Sequence, residues 1–191
     1  MAYVNSYWKH FHVGEGRFRD TLDIDGTDQK PGTFAAYWEA PIRMAKAGVL
    51  AYSLAKDKIA LELADTVISK LTPEMEFNTI IQRSLISDEV EARSCALSTA
   101  IDLYEATADA KYLSKAQALA DDAISRFLHR GLFLSRMQLY PEGDKSASVR
   151  IYDGRSGAGW LALNLIRLQR DVDATSTGTF RKFEVLERIY D

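Results

Sequence analysis

The sequence predicts an all-α fold, an array of αα-hairpins with short β pieces in the long loops between them. Three observations predict it. From Phe34 onward, apolar residues recur at three- and four-residue steps. The helical stretches pair across short breaks, at Ala55-Lys56-Asp57-Lys58 and Thr107-Ala108-Asp109. The paired stretches also resemble one another.

The elements follow in order. Residues 1–33 read as a loop-rich arm, because "GEGRF" and "DIDGTDQKPG" are turn chemistry and no period is sustained. Ile42, Ala45, Val49 and Tyr52 mark one helix face, and Ile59, Leu63, Val67 and Leu71 mark the next. Thr72-Pro73 ends this first hairpin, 34–71, since proline disfavours helix at the residue before it. A third helix is expected from about Asp88 to Ala106, capped by Ser87 or Asp88 with Glu89 and Glu91 in its first turn. A fourth carries Tyr112, Ala116, Leu119, Ala120, Ala123, Ile124 and Phe127 and closes the second hairpin, 88–128, before His129-Arg130-Gly131. The segment 132–159 is expected to hold strands near 132–139 and 148–152. A third hairpin, 157–190, would combine a helix over about 157–170 with a weaker one over about 178–189.

"AYSLAKDKIALELADTVI" (51–68) aligns with "LYEATADAKYLSKAQALADDAI" (103–124), Tyr52 on Tyr104 and Ala64-Asp65 on Ala120-Asp121. Links within pairs are short. Links between pairs are long, 72–87 and 128–156, as a toroid of hairpins requires. Function belongs on the long-loop side.

Composition bounds the function. The chain has 191 residues, 47% hydrophobic and 27% charged, in the ordinary range for a globular protein of one domain or a little more. A net charge of -3 and a pI near 5.7 argue against a nucleic-acid partner. No apolar run is long enough to span a bilayer, so no membrane partner is expected. "MAYVNSYWKHFH" lacks an apolar h-region, so a soluble chain is expected, cytoplasmic or periplasmic. The single Cys95 excludes an internal disulfide and reads as a packed thiol rather than a nucleophile.

Helix, short turn, helix, then an aromatic-rich excursion resembles the α/α toroid of carbohydrate-active enzymes. "GLFLSRMQLYPEGDKSASVRIYDGRSGAGWLALNLIRL" (131–168) is similar to the last hairpin entry of that superfamily. Within it the family-two polysaccharide lyases, acting on pectate and oligogalacturonate, are the nearest resemblance. A closed toroid of six or seven hairpins needs roughly 300 residues or more. The chain is therefore expected to be the C-terminal part of a larger enzyme, completed by self-association or by a partner segment. The resemblance implies that a divalent cation's ligands and an arginine base sit on earlier hairpins. No cofactor is visible in this segment.

The candidate residues gather before helix starts. Asp153, Arg155 and Trp160, among Gly154, Gly157 and Gly159, offer a flat apolar ring, oriented hydrogen bonds and a fork for a carboxylate, while the glycines allow backbone to approach a ligand. The alternative is a turn with an Asp153–Arg155 pair and a core Trp160. Tyr37, Trp38 and Glu39 open the first helix, where Glu39 can instead pair with Arg43. Glu89 and Arg93 repeat that spacing at the next helix start, and surface pairing explains it as well. Trp8 and Arg17, with Arg19 and Asp20, form a candidate substrate arm. His10 and His12 would share one face of a strand, but no third metal ligand accompanies them. Catalytic candidates are Glu39, Asp153 and Arg155, and an acid/base pair could also draw on Asp20 or Asp88.

Two function classes follow. One is a segment of an enzyme acting on acidic polysaccharide, by lyase β-elimination or, alternatively, glycoside hydrolysis. The other is a non-catalytic helical-repeat module that binds a glycan or a protein.

Overall fold

Two inter-helix turns set the hairpin geometry. The computed structural model describes residues 2–12, 14, 18, 39–71, 78–82, 85–134, 136–139, 149–151 and 157–175. Its helices are α1 (Ala2–Phe11), α2 (Glu39–Ala55), α3 (Lys58–Lys70), α4 (Val90–Thr107), α5 (Ala110–Phe127) and α6 (Ala158–Thr175). Between α2 and α3, Lys56 turns left-handed at φ 56° and its N–H donates to the Tyr52 carbonyl at 2.7 Å. Asp57 then caps α3, its carboxylate accepting from the Ile59 N–H at 3.0 Å. The same device joins α4 to α5: Ala108 has φ 58°, its N–H donates to the Tyr104 carbonyl at 2.7 Å, and Asp109 accepts from the Lys111 N–H at 3.0 Å. The matched Tyr52 and Tyr104 are thus the carbonyl partners of matched turns.

The hairpins stack in two rows. α2, α4 and α6 pack side by side as an inner row, and α3 and α5 fold back behind α2 and α4, with α1 beside α3. The core lies between the rows. Ile42, Ala45, Leu63, Ala64, Val67, Leu97, Ala100, Ala116, Ala120, Phe127, Leu161 and Leu168 are fully buried there. α4 touches α2, α3, α5 and α6, so it is buried on most of its surface and its sequence is only weakly amphipathic.

Residues 2–11 form helix α1, where the sequence reads as a loop-rich arm. Its apolar face is narrow, with only Val4 and Tyr7 buried. Packing beside α3 supplies what so short a helix cannot supply alone. Asn5 donates to Asp57 at 3.2 Å, and Tyr7 stacks on Phe11 and Phe18 at 4.8 and 5.6 Å.

The long excursions are partly β. β1 (Asn78–Gln82) and β2 (Leu85–Glu89) form a hairpin; β5 (Arg136–Leu139) adds to β2 and β6 (Val149–Ile151) to β5, all antiparallel. One sheet thereby joins the excursion before α4 to the one before α6. β3 (Leu128–His129) and β4 (Leu132–Phe133) make a separate two-residue hairpin, with Arg130 and Gly131 at positive φ. The strands near 132–139 and 148–152 are present. The helix expected from Asp88 instead begins at Val90, because Asp88 and Glu89 pair with Met137 and Arg136. Helix capping by Ser87 or Asp88 is thus replaced by strand pairing with residues nearly fifty positions away.

Two packing details generate tests. A Cβ on Gly48 would lie 2.6 Å from the Ala60 carbonyl oxygen, so α2 and α3 meet at backbone distance. Helix propensity alone would make Gly48→Ala stabilising by about 1 kcal/mol. Overpacking against backbone reverses the sign, and urea denaturation should show a net loss of about 1–3 kcal/mol. In the outer row, Tyr112 donates to Asp65 at 2.8 Å, and Lys111 pairs with the same carboxylate at 3.0 Å. Burial, then the Asp65 carboxylate, push the Tyr112 phenol up to about 12. The fold thus favours the protonated phenol. That contribution is complete below the ordinary value near 10 and is lost as pH rises toward 12. Alkaline melts of the protein should show this loss across pH 10–12, and Tyr112→Phe should lack it while costing about 1 kcal/mol at neutral pH.

Candidate functional site

The inner-row helices begin side by side. Arg43, in the second turn of α2, reaches Glu91, in the first turn of α4, at 2.8 Å. Just before α6, Gly157 lies against the same turn of α4. It has φ +56°, and a Cβ there would stand 2.6 Å from Val90 Cγ1 and 2.8 Å from the Glu91 nitrogen. This glycine serves the junction of two helix starts rather than approach to a ligand. Gly159 has open space where a Cβ would stand.

Between these starts is a hollow of about 240 Å³ lined by Arg43, Lys46, Glu91, Ser94, Cys95, Ser98, Gly157 and Trp160. A second hollow of about 550 Å³ continues along α2 and α4, sharing Arg43 and Lys46 and adding Leu50, Ser53, Asp102 and Glu105. Together they form the exposed inner face of the row.

Charge binds that face across all three helices. Lys46 donates to Ser98 and to one oxygen of Asp102. Arg167 of α6 donates to the other oxygen of Asp102 at 2.8 Å and to Glu105 at 2.8 Å. Burial works against the Arg167 charge, but the hydrogen bonds to Asp102 and Glu105 outweigh it and raise its pKa. Arg170 extends the chain to Glu105 and Asp171. Cys95 is half-buried in the hollow's wall, and burial pushes its thiol up, so it lines the site as a neutral group.

The candidates from sequence separate. Trp160 is 66% exposed and lines the first hollow, so it is not a core residue. Glu39 is the first residue of α2 and Glu89 the last of β2. Arg93, taken from sequence as a substrate-binding group, is buried on the opposite side of α4. It pairs with Asp122 of α5 and lies over the Phe127 ring, 6.0 Å from its centroid. Asp122 also accepts from Arg126 at 2.8 Å. Trp8 is half-buried in the outer layer, stacked at 3.9 Å on His12, away from both hollows. Arg17, Tyr37, Trp38, Asp153 and Arg155 lie outside the described residues. The helix starts that follow Trp38, Glu89 and Arg155 are nonetheless neighbours on one rim.

His10 and His12 do not share a strand face. His10 is exposed in the last turn of α1, while His12 follows the helix and its burial lowers its pKa. Among the described residues no three His, Cys, Asp or Glu side chains converge where an ion could sit. Lys46, Ser98, Asp102 and Arg167 were missed from sequence. Their signal is weak: each is a polar residue at the lip of an apolar helix face, and its partner is on another helix.

Comparison with known proteins places the geometry. A family model described as periplasmic pectate lyase matches residues 24–151. No curated protein sequence matches the chain. Among solved structures, the GH76A α-1,6-mannanase from Salegentibacter sp. HEL1_6 superposes with a TM-score of 0.54 at 14% identity, covering 97% of this chain and 66% of the mannanase. Inactive variants of that mannanase, in complex with α-1,6-mannotriose and α-1,6-mannotetrose, superpose equally, at 14% and 15% identity. These likenesses show the fold, an α/α toroid of which this chain spans 66% of the mannanase's length. No described helix is long and apolar enough to cross a membrane.

The two arginines should behave oppositely on mutation. Arg93→Ala removes a buried partner of Asp122 and should cost up to roughly 3 kcal/mol, held down because Arg126 still faces that carboxylate. Arg43→Ala breaks a pair exposed by 55% and 51% and should change stability by about 0–1 kcal/mol. Chemical denaturation of both variants measures the difference.

Proposed function

Because the chain belongs to the periplasmic pectate lyase family, whose model matches residues 24–151, we propose that it is a segment of a polysaccharide lyase that cleaves a uronate-containing polymer, pectate or oligogalacturonate, by β-elimination. The rim where α2, α4 and α6 begin is its substrate face. The family match is the observation that carries this reading, and the same family description supports a periplasmic location.

The reaction sets the requirements. A base removes the proton on the carbon beside the carboxylate. The electron pair left behind forms a carbon–carbon double bond, the neighbouring glycosidic C–O bond breaks, and the departing oxygen takes a proton. Negative charge builds on the carboxylate as the proton leaves, so cations must face it. Arg43 and Lys46 line the hollow from α2, and Trp160 offers a flat ring at its side. Glu39, Asp153 and Arg155 are proposed as rim groups from their sequence positions before or at these helix starts. The arginine base and cation ligands that the family resemblance implies map to no residue of this segment. A partner segment of the complete enzyme would then supply them.

Mixing the complete enzyme that contains this segment with polygalacturonate, with and without a divalent cation, should raise the ultraviolet absorbance of unsaturated uronates. New reducing ends without that absorbance would mean glycoside hydrolysis instead. Binding with neither signal would leave a glycan-binding module, and no interaction would end the carbohydrate reading for this segment.

A further inference from the structure

We infer that the chain's own tail, residues 176–191, folds back as a helix behind α6 and docks on Leu163 and Ile166. Those residues lie outside the described ones. The inference rests on the repeat and is independent of the carbohydrate reading.

Each earlier helix of the row has a helix behind it, α3 behind α2 and α5 behind α4. No described helix follows α6. One side of α6 is complete, with Leu161, Leu165, Leu168 and Val172 all buried. On the opposite side of the same helix Leu163 is 55% and Ile166 62% exposed. Two large aliphatic side chains one turn apart on a bare helix flank call for a cover.

The spacing of the tail matches the helices that cover α2 and α4. Counted from its cap Asp109, α5 buries Leu113, Ala116, Leu119 and Ala123, which stand four, seven, ten and fourteen residues on. Counted from its cap Asp57, α3 has Leu61, Ala64, Val67 and Leu71 at the same four places, the first partly buried and the others fully. Counted from Ser176, the residue after α6, those places hold Phe180, Phe183, Leu186 and Tyr190. Serine is a favoured helix cap. The match departs eleven residues on, where Ile68 and Ala120 are buried and the tail has Glu187. α3 and α5 each touch the next helix of the row as well, α4 and α6. A helix behind α6 has no such described neighbour, so a narrower apolar stripe serves it.

The tail is favoured over a second copy because it follows α6 directly. A short link makes the contact intramolecular, and little loop entropy opposes it. So short a helix depends on its packing surface, which makes Leu163 and Ile166 the condition for its folding. α6 also carries Trp160 and Arg167, so a docked tail steadies the rim helix.

Hydrogen exchange of the full chain, read by mass spectrometry, tests this on the wild type, Ile166→Asp and Phe183→Asp. Amides of 181–190 should exchange on the order of 100-fold more slowly than an unstructured chain. Either variant should remove that protection while peptides from α2 to α5 keep theirs. Should Ile166→Asp unfold the whole chain, Phe183→Asp, which lies in the tail, decides. Exchange of 181–190 at unstructured rates in the wild type overturns the proposal, as does protection that survives both variants. Protection of α6 that rises with protein concentration, with a dimer in sedimentation, would assign the face to a second copy and equally overturn it.

Discussion

Asp102 holds the inner row together. One of its oxygens accepts from Lys46 of α2, the other from Arg167 of α6, so a single carboxylate in α4 ties three parallel helices. Each partner is partly buried, which makes the contacts worth more than surface pairs, and removing the carboxylate would leave two cations facing each other. With α2, α4 and α6 fixed in register, their starts fall on one rim and the hollows open between them. The hairpin turns act in the same direction. Lys56-Asp57 and Ala108-Asp109 send each chain back at the same point of its helix, which keeps the outer helices level.

Polar residues on α4 divide by side. Arg93 and Asp122 close the α4–α5 contact behind the row, whereas Glu91, Cys95, Ser98 and Asp102 face the hollows. Their order along the helix alternates between these faces at helical spacing. Structural and exposed chemistry therefore sit within four residues of each other, and a residue's role depends on which neighbour its face meets. Glu91 and Arg93 illustrate it, two positions apart and oppositely placed.

Much of the helical architecture was legible because it follows local periodicity. Ile42, Ala45 and Val49, or Ala116, Leu119 and Ala120, recur at helical steps, and all are buried. Strand pairing was less so. The segment 78–82 pairs with 85–89, and 85–89 pairs in turn with 136–139, which is remote in sequence. The helix α1 was missed because its short apolar face acquires meaning only against α3 and Phe18. Trp160 stood out as a candidate because a tryptophan in a glycine-rich helix entry is unusual in composition. Arg93 was misassigned because a charged residue near a helix start looks the same whether it faces solvent or a carboxylate on the next helix.

The sequence by itself determined helices α2 to α6, the short links within the pairs, the repeated turn and the placement of long excursions before helix starts, since each depends on backbone preference and burial pattern within a few residues. Only the tertiary structure decided which charges meet. Lys46 and Asp102, Arg43 and Glu91, and Arg93 and Asp122 are 29 to 56 positions apart, and ion pairs carry no periodic mark along a chain. The stacking angle of one helix on the next chooses among many equivalent charges, and that choice set where the rim's hollow lies and which arginine opens onto it.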